Sequence, residues 1–156
     1  MVDDERVLVL TTGDGYGRFG VDQVDIYGGC GHLYCGSTDQ CLKMLRADYK
    51  FVLAFENSLC GDYVTDKLYT ALENGVVPVV YGGADYLAYA PAGSFVDARD
   101  FATPRHLADY LHLLNRNDNL YAKYLSWNED YQVTSYQISF IENFFSHQYC
   151  HQPNLT

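Results

Sequence analysis

Asn57, Tyr63, Asp66 and Lys67 stand where an apolar run gives way to a helix start, and their types could together hold a nucleotide. The run Phe51–Phe55 ends in polar Glu56-Asn57-Ser58, and Thr65-Asp66-Lys67 then opens a helical pattern. In an open parallel sheet, ligands bind beyond the carboxyl ends of the strands, where loops meet helix N-termini. A helix N-terminus with a lysine beside it suits a phosphate or diphosphate. An amide such as Asn57 can both donate to and accept from a sugar nucleotide. The plainer alternatives are an Asx-type turn for Glu56 and Asn57 and a solvated helix lysine for Lys67.

Other residues offer less. Gly15-Tyr-Gly17-Arg-Phe-Gly20 matches the dinucleotide fingerprint in letters, but that motif needs a strand before it and a helix directly after it. Here Val-Asp-Gln and another strand follow Gly20, so a flexible loop is the better reading. Five cysteines, Cys30, Cys35, Cys41, Cys60 and Cys150, contain no Cys-x-x-Cys and stand near no histidine pair at metal spacing. Zinc is therefore disfavoured. A disulfide from Cys60 to Cys30, Cys35 or Cys41 is expected in an oxidising compartment, against the alternative of scattered buried thiols. Asn154-Leu155-Thr156 is a glycosylation sequon and leans toward the same compartment. His32, His106, His112, His147 and His151 share no spacing with a nucleophile and read as surface or satisfied residues.

The elements that must position the window follow from periodicity. Val7–Leu10, Val24–Tyr27, Phe51–Phe55 and Val76–Val80 read as strands, and Ser94–Val96 as a further short one. Pro78 belongs on an edge or at an irregularity. Helices are expected from Ser37 or Thr38 to Ala47, over Thr65–Asn74 with Gly75 as its stop, from Thr103-Pro104 through Leu114, from Asp118 to Trp127, and over Tyr136–Gln148. This alternation predicts an α/β fold, a Rossmann-like parallel sheet with flanking helices. Val24–Tyr27, Phe51–Phe55 and Val76–Val80 are expected to be adjacent parallel strands, with Asn57, Tyr63, Lys67 and Gly82 at one shared rim. The connection TTGDGYGRFGVDQ is too glycine-rich for a crossover helix, so either the crossover is degraded or Val7–Leu10 is not the neighbouring parallel strand.

At 156 residues the chain suits one domain. A net charge of -10 argues against nucleic acid or an anionic membrane as the main partner and leaves any diphosphate to locally placed donors. Fifteen tyrosines suit amphipathic pocket walls or a partly exposed core. Met1 is followed by Val-Asp-Asp-Glu and no apolar run approaches membrane-spanning length. Taken literally the chain is cytosolic; taken as a fragment it has lost its targeting segment.

The window Phe55-Glu-Asn-Ser58, then Asp62-Tyr-Val-Thr-Asp-Lys-Leu68, resembles the donor motif of the α-1,3-fucosyltransferases, F-E-N-S followed by D-Y-[VI]-T-E-K-[LF]. Val77-Pro-Val-Val-Tyr-Gly82, Tyr89-Ala-Pro91, Asp100-Phe-Ala-Thr-Pro104 and Leu120-Tyr-Ala-Lys-Tyr124 look like family sequence in family order, with coverage best over residues 22–127. The resemblance implies the C-terminal, donor-binding domain of a GT-B-like glycosyltransferase, spanning residues 1–156 as a single unit without the N-terminal acceptor domain. It implies GDP-fucose as donor substrate, a glycoprotein N-glycan as acceptor, no nucleic-acid partner, no required cofactor, and a divalent metal at most as activator. Carried over by position, Asn57, Tyr63, Asp66 and Lys67 line the donor pocket, Lys67 on the diphosphate and Asp66 on the ribose. The family usually has glutamate at Asp66, which reaches one methylene further. Its phosphate-binding arginine lies in a segment shortened here, where Arg18 is a weak stand-in.

The general base is implied to belong to the acceptor domain, so no catalytic residue is assigned in this chain. The full-length family protein is implied to face the Golgi lumen from the membrane. The Cys30-Gly-His-Leu-Tyr-Cys35 insertion looks more like invertebrate enzymes acting on the N-glycan core. The competing reading is a non-catalytic nucleotide-sugar-binding or partner protein that kept the fold.

Overall fold

A computed structural model describes residues 7–11, 24–27 and 33–134 of the chain. Five strands form one sheet: β1 (Val7–Thr11), β2 (Val24–Tyr27), β3 (Tyr49–Phe55), β4 (Val77–Tyr81) and β5 (Val96–Asp97), in the spatial order β2-β1-β3-β4-β5. Among the described residues four α-helices accompany them: α1 (Thr38–Asp48), α2 (Asp66–Glu73), α3 (Pro104–Arg116) and α4 (Asp118–Lys123).

The α/β class stands, and β3, β4 and β5 are parallel neighbours. The expectation that β2 lies beside β3 fails. β1 separates them and is antiparallel to both. β2 therefore runs in the direction of β3 but one strand removed. Antiparallel neighbours need no crossover helix, which accounts for a glycine-rich connection that could not have formed one.

The covered-strand reading of β3 holds because side chains alternate across it. Phe51, Leu53 and Phe55 pack with Val77, Val79 and Val96 under Leu111 and Leu114 of α3 and Leu120 and Tyr121 of α4. Ala54 and Val80 face the opposite side, under Leu68, Tyr69 and Leu72 of α2. Val52 joins Leu45 of α1 and Ala71 of α2. Leu68, Val77, Val79 and Val80 have no exposed surface. Truncating a leucine so enclosed costs about 2–5 kcal/mol, because the lost transfer energy adds to that of the cavity left behind.

Helix limits follow local chemistry. Ser37 caps α1 in a reciprocal capping box with Gln40, and Thr103 caps α3 ahead of Pro104. Gly75 ends α2 in the left-handed region, with φ 67°. Three expectations shift. The cap of α4 is Asn117, whose side chain accepts from Leu120 N, one residue before the expected Asp118; α4 stops at Lys123 and a 3₁₀ turn carries the chain to Trp127. The strand expected at Ser94–Val96 is only Val96–Asp97, because Ser94 turns back on Pro91 through both its N–H and its hydroxyl. Pro78 lies inside the sheet rather than on an edge strand, yet β5 pairs only with Val79 and Val80, so no ladder on that side reaches the proline. The helix expected at Tyr136–Gln148 lies outside the described residues.

Candidate functional site at the carboxyl rim of the parallel strands

β3 and β4 are in register from Phe51↔Val77 to Phe55↔Tyr81, and Glu56 N donates to Tyr81 O at 2.8 Å just beyond the last pair. Asn57 and Gly82 thus leave the sheet at the same rim, as expected. The loop from Asn57 returns to α2 through Val64, which is buried and anchors it in the core under α2. Asp62 adopts φ 61° within this loop, a conformation that aspartate tolerates better than most residues. Tyr89 Oη donates to Asp62 O at 3.4 Å and holds the turn from outside.

Lys67, in the first turn of α2, reaches back over the loop. Its Nζ donates to Phe55 O at 3.1 Å and to Asn57 Oδ1 at 3.3 Å. Among the described residues these two bonds leave the ammonium one of its three donors. Asp66, the first residue of α2, and Tyr63 in the preceding loop are both half-buried. Asn57, Tyr63, Asp66 and Lys67 therefore fall within one loop and one helical turn, while Arg18 lies outside the described residues.

Sequence reasoning gave Glu56 no more than a turn. In the structure it is buried and accepts from Thr65 N and Thr65 Oγ1, each at 2.9 Å. Burial pushes its carboxyl above the ordinary value; the Thr65 donors and Lys67 oppose that shift, and Asp66 adds to it. The consequence for α2 is specific. Ser37, Thr103 and Asn117 turn their side chains onto the first-turn amides of their helices, whereas Thr65 spends its hydroxyl on Glu56 and makes no side-chain cap. The N-terminus of α2 is left with first-turn N–H groups and the positive end of its dipole for another acceptor.

Two glycines let this loop pack so closely. A Cβ on Gly82 would meet Tyr86 Oη at 2.4 Å and Glu56 Cγ at 3.1 Å. A Cβ on Gly83 would stand 2.3 Å from Leu59 O and 2.5 Å from Cys60 O, which are backbone atoms that cannot swing aside. Arg99, just past β5, donates from Nη1 to Gly82 O at 3.1 Å and forks onto Asp97. Gly82 was expected at this rim, but neither its close contacts, nor Gly83, nor Arg99 was visible as part of a site in the sequence, since these contacts join distant segments.

The cysteine expectation is revised. Cys35 and Cys41 are bonded to each other, with Cα atoms 5.0 Å apart, across the start of α1. Neither is available to Cys60. Cys60 is itself disulfide-bonded, as expected, and Cys30 lies outside the described residues. Among the described residues no group of three His, Cys, Asp or Glu side chains is placed to hold a metal, and no helix is long and apolar enough to cross a membrane.

The parallel strands deliver a helix start without a side-chain cap, a lysine and an amide to one rim, the end of an open α/β sheet where ligands bind. The sequence profile of Glycosyltransferase family 10 (fucosyltransferase) C-term matches residues 20–154, and the chain belongs to that family. It is 51% identical over 113 residues to alpha-(1,3)-fucosyltransferase C of Drosophila melanogaster, covering 72% of this chain and 27% of the relative. It is 44% identical over 110 residues to glycoprotein 3-alpha-L-fucosyltransferase A of the same organism, covering 67% and 22%. The chain thus spans about a quarter of the length of these relatives. A crystal structure of an α1,3-fucosyltransferase with GDP-fucose superposes with TM-score 0.49 at 30% identity, over 62% of this chain and 31% of the other.

Proposed function

We propose that the chain is the donor-binding half of an α-1,3-fucosyltransferase that moves fucose from GDP-fucose to N-acetylglucosamine of glycoprotein N-glycans, with residues 1–156 forming one donor-nucleotide unit. The observation that carries this reading is the rim. There α2 opens without a side-chain cap, and Lys67 stands beside it with a donor to spare. Family membership supports the choice of nucleotide sugar.

In this reading Lys67 and the α2 amides take the diphosphate, Asp66 takes the ribose hydroxyls, and Asn57 and Tyr63 line the pocket. An acceptor hydroxyl, deprotonated by a general base of the acceptor-binding half, forms a bond to the fucose anomeric carbon. The bond from that carbon to the β-phosphate oxygen breaks, its electron pair leaves with GDP, and configuration inverts. The chain's share of catalysis is electrostatic. Donors already fixed by Phe55 O and Asn57 meet the charge as it grows on the leaving phosphate. No cofactor is required, and a divalent cation acts at most as an activator. The Cys35–Cys41 bond suits an oxidising lumen, in keeping with a full-length protein facing the Golgi lumen from its membrane.

The second reading is a nucleotide-sugar-binding or partner protein that kept the fold without transfer activity. Calorimetric titration of the folded chain tests the donor-binding reading. GDP and GDP-fucose are expected to bind, and UDP is not. A folded chain that binds neither GDP nor GDP-fucose overturns the donor-binding reading and favours the partner-protein one.

A further inference from the structure

We propose that Arg99 is a positioning residue for the donor site, acting through the Gly82 carbonyl to hold the motif loop and the start of α2 in their binding arrangement. The inference rests on the donor-binding reading above and adds a residue that the site window does not contain.

Arg99 lies directly after β5, two strands away from β3 along the sheet. Its guanidinium is itself held in place. Nε and Nη2 fork onto the Asp97 carboxylate at 3.0 and 2.6 Å, and the plane lies over the Tyr86 ring, 5.3 Å from its centroid. A planar fork fixed on a carboxylate keeps its remaining donors in fixed directions. One of these, Nη1, reaches Gly82 O at 3.1 Å.

What Gly82 touches gives that bond its significance. A Cβ at Gly82 would press on Tyr86 Oη and the Glu56 side chain, and one at Gly83 on the carbonyls of Leu59 and Cys60 within the motif loop, so both glycines leave room for a close approach. Glu56 in turn holds Thr65, the residue that opens α2, by two hydrogen bonds. Displacing the Gly82–Gly83 backbone would therefore press on the motif loop at its start, Glu56, and along its middle, at Leu59 and Cys60. Tyr86 Oη is fully buried with no hydrogen-bond partner among the described residues, so it offers the turn steric contact only. The directional bond on Gly82 O comes from Arg99.

The test is calorimetry of the whole chain with GDP and with guanosine, alongside a thermal midpoint for each variant. A residue that positions the diphosphate end of the site should change GDP affinity and leave guanosine affinity unchanged. A merely structural residue would change both together or neither. Arg99→Ala is expected to weaken GDP binding about tenfold, the scale of one charge-assisted hydrogen bond lost in effect. Arg99→Lys keeps the charge without the fork and should weaken it about threefold on the same scale; it also serves if the alanine variant does not fold. The control Arg105→Ala, on the exposed face of α3, should bind GDP as the parent does. Unchanged GDP affinity in folded Arg99→Ala or Arg99→Lys, or a parallel fall for GDP and guanosine, overturns the proposal. A parent chain that binds no GDP fails earlier and takes the donor-binding reading with it.

Discussion

Lys67 Nζ and Asn57 Oδ1 lie 3.3 Å apart, so the first turn of α2 is tied back to the residue that leaves β3. The same ammonium also bonds Phe55 O at 3.1 Å. This pair converts two ends of a loop into one rigid corner, in which the lysine loses little further rotamer freedom when an anion arrives.

Lys67→Ala should therefore weaken GDP binding by about 10- to 100-fold, the equivalent of a charge-assisted bond of ~1.5–3 kcal/mol. Lys43→Ala, on the exposed face of α1, should leave it unchanged. Calorimetry on both variants decides, and equal effects would remove Lys67 from the site.

Asp66→Glu restores the longer carboxylate of the family and should leave GDP affinity intact or improve it. A clear loss, measured in the same titration, would mean that Asp66 meets the ligand at its present length.

Gly83→Ala should cost about 1–3 kcal/mol of stability, since its Cβ would press on two backbone carbonyls that cannot give way as a side chain would. Gly61→Ala meets nothing within 4 Å and should lie within about 0.5 kcal/mol of the parent. Denaturant midpoints for the two variants check the contrast.

Glu56 sets a pH dependence whose sign follows from burial. Its folded value is raised above the ordinary 4.5, so the native state holds the proton more tightly than the unfolded chain does. The stability gained by protonation is fully present below the unfolded value and is lost as pH rises through the folded one. Relative to Glu56→Gln, which cannot titrate, the parent should gain stability as pH is lowered from neutrality to the unfolded value. Urea midpoints of both proteins across that range would show it, and parallel curves would refute it.

The Cys35–Cys41 bridge closes a short loop over the start of α1. Cys41→Ser should lower stability by about 2 kcal/mol, the loop-closure value for so small a ring. Peptide mapping of protein made through a secretory route should recover this bridge, with Cys60 also oxidised.

The sequence by itself determined the local elements. The continuous apolar runs of β3 and β4 dictated strands covered on both faces, Thr103-Pro104 fixed the start of α3, and Gly75 ended α2. The motif placed Asn57, Tyr63, Asp66 and Lys67 in one loop and one turn, because residues so close in sequence have little freedom to separate. Tertiary structure decided what depended on contacts between distant segments. The place of β1 between β2 and β3 arises from hydrogen-bond pairing whose partner no strand's own composition names. The bridge between Cys35 and Cys41 depended on which sulfurs the start of α1 brings together. The same holds for Glu56, Gly82, Gly83 and Arg99. Gly82 was expected at the rim, but which side chains pack against it, and the Arg99 bond to its carbonyl, follow only from three parallel strands ending together.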